Sequence, residues 1–167
     1  MRYLNTALYI AAIVAVNWAF TRVEPIALPI GGAMGGVWQP VALVVGFVFV
    51  LRDFAQREIG HWVLAAMAVG VVLSYFMADP FVAMASATAF LLSELADWAV
   101  YSFTGKPLSQ RVLWSSLIST PIDSAVFLGM IGFLSPGTFL AMTLSKLVGA
   151  LIVWALVRRR ETAMVAP

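Results

Sequence analysis

The sequence predicts an all-α integral membrane protein with six transmembrane helices, both termini in the cytoplasm. Three observations lead there. Of the 167 residues, 62% are hydrophobic and 11% charged, with a mean hydropathy of +0.96; soluble domains carry about 25% charged residues, and a chain this apolar cannot cover itself with a wettable surface. Six apolar segments have the length that crosses the hydrocarbon core, about 17–25 residues. Finally, Lys and Arg are distributed unequally between the two sets of loops, which orients the chain.

The expected spans are roughly 3–21, 37–53, 61–78, 80–103, 111–133 and 137–157. They form one transmembrane domain over 1–157, followed by a short basic tail at 158–167. The first begins with an Arg and an apolar run, as a signal peptide does, but Asn5 and Asn17 interrupt it and more spans follow, so it reads as a retained helix. Asp79 and Pro80 separate the third and fourth spans, "GKP" the fourth and fifth, and "LSPG" the fifth and sixth, with Pro and Gly as turn punctuation. With the termini inside, the cytoplasmic side holds Arg2, Arg52, Arg57, Lys106, Arg111, Arg158, Arg159 and Arg160, and the outer side only Arg22. This distribution also accounts for the basic pI, so the tail is expected against anionic lipid and not on nucleic acid.

The outer loop "RVEPIALPIGGAMGGVWQP" is long, apolar and rich in Gly and Pro. Its backbone has to pack on protein or lie at the interface. It reads either as a flexible connection or as a lid over an outward-facing cavity. The two halves of the chain share no alignable motif, so an inverted repeat is not visible in the sequence.

Ionisable residues inside a membrane face a bundle interior or a wet cavity and are functional candidates. On the fourth span Ser86, Phe90, Ser93, Glu94, Asp97 and Tyr101 recur at three- or four-residue steps and share a stripe, opposite Leu91, Leu92, Leu95 and Ala99. On the fifth, "SSLISTPIDSAVF" aligns Ser116, Ser119, Thr120, Asp123 and Phe127, with Pro121 freeing a carbonyl one turn earlier. On the sixth, Met142, Ser145, Lys146 and Gly149 share a face, and the first span offers Asn17. At 1.5 Å per residue, Asp123 lies about 18 Å and Lys146 about 14 Å into its helix, and Glu94 and Asp97 about 20–25 Å from the outer end of theirs. One central cavity is therefore expected. Lys146 neutralises one acid, with Asp97 or Asp123 as its expected partner, which leaves two acids that are protonated, hydrogen-bonded or waiting for a ligand. The alternative is a polar cluster that only holds helices together, at about 1 kcal/mol per interhelical bond.

Asp53 and Glu58, in "RDFAQRE" beside Arg52 and Arg57, read as interfacial, as does His61. A lone His makes no metal site, and no cofactor is called for. The Trp residues read as belt anchors, with Trp18 and Trp98 nearest the polar stripes and able to stack on a planar ligand. HExxH, GxSxG and paired His are absent, which argues against an intramembrane hydrolase, and acids on different helices do not form the symmetric ring of a channel.

"NWAF", "GFVFVLRDFAQREIGH", "FLLSELADWAVY" and "SSLISTPIDSAVF", in that order, resemble the VUT (vitamin uptake transporter) family, the bacterial queuosine-precursor transporters. The resemblance spans nearly the whole chain and rests on the combined "SELAD" and "SxxxDS" pattern. It implies a multi-pass protein of the bacterial inner membrane that imports the 7-deazaguanine bases preQ0 and preQ1 for tRNA queuosine synthesis. Its six-helix plan is similar to the substrate-binding subunits of energy-coupling-factor transporters. The motif positions carried over are Asn17, Arg52, Asp53, Gln56, Ser93, Glu94, Asp97, Ser119, Asp123 and Ser124, with Arg52, Asp53 and Gln56 assigned to gating or structure.

Such a base presents N1–H and an exocyclic amine on one edge, which a carboxylate accepts as a charge-assisted bidentate pair. Its carbonyl needs a donor such as Lys146, Asn17 or Gln39; the aminomethyl cation of preQ1 needs a second carboxylate; the ring needs an aromatic face. The expected partners are thus a purine-like small molecule and the lipid bilayer, and a homo-oligomer is compatible with the sequence. No ATP-binding motif is present, so an importer working by alternating access draws on a gradient or a separate energising subunit. The alternative is a non-transporting scaffold or binding subunit.

Overall fold

The computed structural model describes residues 3–29, 35–77, 79–103 and 108–165. These form six α-helices: α1 (Leu4–Phe20), α2 (Ala42–Ile59), α3 (Val63–Met77), α4 (Pro80–Phe103), α5 (Leu108–Ile131) and α6 (Pro136–Val165). A two-stranded hairpin, β1 (Ile26–Ala27) and β2 (Val37–Trp38), lies between α1 and α2. The protein is an all-α membrane protein in its helical content and composition. Among the described residues, the continuous stretch Ala42–Met77, Pro80–Val100 and Pro136–Arg159 are each long and apolar enough to cross a bilayer, with Leu4–Phe20 a shorter apolar helix.

The helix ends follow from local chemistry. Asp79 caps α4, its Oδ1 accepting from the backbone N–H of Phe81 at 2.9 Å and Val82 at 3.0 Å, with Pro80 at the first helical position where its missing N–H costs nothing. Gly60 ends α2 at φ +60, a left-handed conformation that glycine adopts without Cβ strain, and a single 3₁₀ turn, Gly60–Trp62, leads into α3. Glu58, half-buried as an interfacial group, caps the neighbouring helix. Its carboxylate accepts from the backbone N–H of Asn5 and Thr6, from Asn5 Nδ2 and from Thr6 Oγ1, an anion placed where the α1 dipole favours one. Pro121 sits inside α5, which continues through it.

Three boundaries differ from the sequence expectation. The second helix begins at Ala42, not 37, because Val37 and Trp38 pair with Ala27 and Ile26 instead. It also runs on to Ile59, which draws Arg52 and Asp53 into the helical body. At the far end α6 continues to Val165, through the segment expected as a tail.

The helices close into a ring, in the order α1, α2, α6, α5, α4, α3 and back to α1, with α4 against α5 the most extensive interface. The α2–α6 contact is set by two glycines. A Cβ on Gly46 would run into the backbone carbonyl of Lys146, and one on Gly149 would meet Gly46 at about 3 Å. Small residues let membrane helices approach this closely, and here the approach fixes the backbone from which Lys146 projects. The exposed leucines Leu91, Leu92 and Leu95 face outward on α4, while Ser86, Phe90, Ser93, Glu94 and Asp97 are buried, as their spacing predicts. The polar stripes of α4, α5 and α6 thus meet along the ring's axis.

The connection between α1 and α2 is not a loose tether over its described part. Its hairpin is strapped to α6: Val37 N donates to Thr138 Oγ1 (3.0 Å), Trp38 Nε1 to Ser145 Oγ (2.8 Å) and Ser135 Oγ to the Gly35 carbonyl (2.9 Å). It lies at one end of the bundle, against α6.

Candidate functional site

Two charge clusters occupy the axis. The first is built on Arg52 of α2, which is fully buried. Its Nε donates to Glu94 Oε2 at 2.5 Å, its Nη1 to Asp53 Oδ1 at 3.1 Å, and Nη1 also pairs with Asp97. Asp97 is held in addition by the Ser115 hydroxyl of α5. Since α2 and α4 are not neighbours in the ring, Arg52 is a strut across its centre. It is joined there by the Phe49 and Phe90 rings, 5.9 Å apart.

Arg52 overturns two expectations. It does not lie in a cytoplasmic loop, and Asp53, 2% exposed, is not interfacial. The acids that Lys146 could not neutralise, Glu94 and Asp97, have Arg52 as their partner. The density of charge in "RDFAQREIGH" suggested the end of a span, but one helical turn of it faces inward. Gln56, one turn after Arg52, is buried as well.

The second cluster lies between α5 and α6. Lys146, fully buried, pairs with Asp123 and donates to Ser124 Oγ at 3.2 Å. Of the two partners the sequence left open, Asp123 is the one used. Across from this pair Asn17 of α1 is 2% exposed. Its Nδ2 donates to Ser74 Oγ at 3.0 Å, and that hydroxyl donates to the Gly70 carbonyl at 2.8 Å. Because the Ser74 proton is committed to Gly70, Ser74 can only accept here, which fixes the Asn17 amide group toward it and its carbonyl oxygen away. The same applies to Gln39, whose Nε2 donates to the Val23 carbonyl at 2.9 Å. Both side chains were expected as donors, but each already uses an amide N–H on the protein, so Lys146 is the principal donor of the second cluster.

Asn17, Asp123 and Lys146 line a nearly closed pocket of about 10 Å³ with Ser86 and the rings of Phe20, Phe90 and Phe127. The Phe20 and Phe127 rings pack 5.3 Å apart. The aromatic faces at the axis are therefore phenylalanines. Trp98 stands apart, its Nε1 donating to His61 Nδ1 at 2.9 Å at the bundle edge, and Trp18 is exposed, with Arg22 over its ring at 5.7 Å. Phe90 and Phe127 fall on the polar stripes read from the sequence, whereas Phe20, three residues after Asn17, carries no polar atom to draw attention.

Ser93 connects the clusters. It directly precedes Glu94, and its hydroxyl lies 3.5 Å from Asp123 Oδ1. Ser119, one turn before Asp123, is fully buried, and its Oγ has no hydrogen-bond partner among the described residues. Counting from the hairpin end at 1.5 Å per residue, Asp123 lies about 12 Å deep, Lys146 about 15 Å, and Glu94 and Asp97 about 21 and 26 Å. The axis thus carries, in order, the hairpin, the Asp123–Lys146 pocket, Ser93, and the Arg52 strut. Among the described residues no group of His, Cys, Asp and Glu is arranged to hold a metal. Tyr101, expected on the polar stripe, and Lys106 and Arg111, expected in a loop, lie outside the described side chains.

A family profile described as "Putative vitamin uptake transporter" matches residues 37–158, a span that contains both charge clusters. No curated protein and no solved structure matches the chain.

Proposed function

The chain belongs to the vitamin uptake transporter family, and from that premise we propose that it imports a 7-deazaguanine base, preQ0 or preQ1, through the Asp123–Lys146 pocket by alternating access. In this reading all six helices cross the bacterial inner membrane with both termini in the cytoplasm. Without Arg52, seven cations sit in or beside the helix ends away from the hairpin, against Arg22 beside it, which puts the hairpin end outside.

One observation carries the reading: an ion pair about 12–15 Å from the hairpin end, ringed by Phe20, Phe90 and Phe127 and faced by Asn17. A purine-like base asks for those groups. The Asp123 carboxylate accepts the N–H edge, Lys146 donates to the ring carbonyl, and the phenylalanines take the ring faces. Because Lys146 holds Asp123 in this closed state, the ligand must take over part of that pairing, so binding and rearrangement of α5 against α6 are one event. The Arg52 strut then closes the cytoplasmic half of the path, since it joins α2 to α4 across the axis; release into the cell requires it to shift. Glu94 and Asp97, expected as substrate groups, act through that strut.

Uptake of labelled preQ1 into cells unable to make it tests the reading. Wild-type protein should restore accumulation and Asp123→Asn should not, at equal membrane abundance. Reconstitution of the protein alone into liposomes separates self-sufficient transport from a binding subunit: a folded protein that binds the base yet moves none without other cell components is the latter.

A further inference from the structure

Between the hairpin and the closed pocket lies a second cavity, of about 170 Å³. Its walls include Phe20 and Pro25, Val37 of β2, Gln39, Phe127 and Phe133, and no ionisable side chain lines it. Phe20, Phe127 and Met142 belong to the walls of both cavities, so these three side chains are the partition between them. The volume falls below the roughly 300–1,000 Å³ of sites for drug-sized ligands, a scale that suits a bicyclic ring and not a nucleotide. Gln39 and Thr138 give the cavity its polar character, and the Thr138 hydroxyl oxygen already accepts from Val37 N and Ser135 Oγ. With Gln39 Nε2 held by Val23, Gln39 Oε1 is left buried and without a hydrogen-bond partner among the described residues, and a buried acceptor of this kind is costly until it meets a donor.

We infer that this vestibule is a binding site in its own right, for a neutral planar heterocycle with an N–H donor edge, occupied before the ligand passes the Phe20–Phe127–Met142 partition. The inference rests on the transport reading above and goes beyond it, because it places a first capture step outside the charged pocket. The apolar walls give stacking and desolvation, Gln39 Oε1 accepts from the N–H edge once its side chain turns into the cavity, and the absence of a carboxylate in the lining disfavours a cation, which would lose its hydration without a counter-charge. The vestibule therefore selects the uncharged base preQ0 over the aminomethyl cation preQ1.

The chain has no cysteine, so one introduced thiol reports on one place. Val82→Cys and, separately, Ile131→Cys put a thiol in the vestibule wall; the purified protein, in lipid nanodiscs, is labelled with a maleimide in the presence of preQ0 or preQ1. Ligand at ten times its Kd should slow labelling about tenfold, from the occupancy relation 1 + [L]/Kd. The expected result is protection by preQ0 that persists in an Asp123→Asn background, is weaker for preQ1, and is lost in Gln39→Leu. Protection that disappears with Asp123→Asn, in a protein whose melting temperature shows it folded, would overturn the vestibule site and leave the deep-pocket reading standing, as would binding of preQ0 by wild type with no protection at either cysteine. If wild type binds neither base by equilibrium dialysis, the transport reading fails, and this inference with it.

Discussion

The two charge clusters differ in stoichiometry, span and surroundings. Arg52 serves three carboxylates from α2 and α4, helices that do not pack on one another, and it lines no cavity described above. Lys146 serves one carboxylate from the adjacent helix and forms the wall of a pocket with aromatic faces. Breaking a buried pair costs about 3–5 kcal/mol, while replacing both members is often neutral, so the one-to-one pair can be exchanged for a ligand and the many-membered cluster cannot. In the proposed function that difference makes the Arg52 cluster a strut and the Lys146 pair a recognition site, although both look alike as isolated charges in apolar helices.

The largest expected effect comes from Arg52→Met. It strands three acids in the interior, and a loss of at least about 3–5 kcal/mol is expected, read as a collapse of the melting temperature in detergent. Neutralising one acid with Glu94→Gln should not restore it, because Asp53 and Asp97 remain. Recovery to wild-type melting in that double variant would erase the distinction between the clusters.

Lys146→Met should destabilise the protein by about 3–5 kcal/mol, but here the second change, Asp123→Asn, should restore most of the melting temperature. The restored double variant should still fail to bind the base. Additive destabilisation in the double variant would mean that the pair is not an energetic unit.

Gly46→Val sharpens the account of how Lys146 is positioned. Overpacking of a close contact costs about 1–3 kcal/mol, and the α2–α6 approach that carries Lys146 is the contact disturbed. Base affinity should fall more than melting temperature does, whereas Gly129→Val, where an added Cβ meets nothing within 4 Å, should leave affinity unchanged. The smallest effect belongs to Trp98→Phe, which removes one exposed hydrogen bond to His61; about 1 kcal/mol or less is expected, with uptake of the base retained. Lost uptake in that variant would return Trp98 to the substrate path.

Much of this arrangement was legible in the sequence because helical periodicity is a one-dimensional signal. The stripes through Glu94 and Asp97, Asp123, and Lys146 each follow from steps of three and four residues, and Asp79 before Pro80 announced the start of α4. Three features were hidden for physical reasons. Arg52 sits in a segment whose charge density imitates a membrane interface, and only the facing helix reveals that its side chain turns inward. The Gly46–Gly149 contact depends on which helices are neighbours, a property of the ring order and not of either local sequence. Phe127 falls on the stripe through Asp123, but that Phe20 meets it from α1 at 5.3 Å depends on how the helices pack, and nothing in an isolated apolar residue such as Phe20 distinguishes an axial ring from a lipid-facing one.

The central claim is that the Asp123–Lys146 pocket reads the base and the Arg52 cluster does not. Equilibrium binding of labelled preQ1 to purified Asp123→Asn and Glu94→Gln, both shown to be folded, tests it most directly. Truncating one side of a buried charged contact costs about 2–5 kcal/mol, so Asp123→Asn should weaken binding at least about thirtyfold, while Glu94→Gln should stay within about threefold of wild type. Full affinity in Asp123→Asn, or an equal loss in Glu94→Gln, would contradict it.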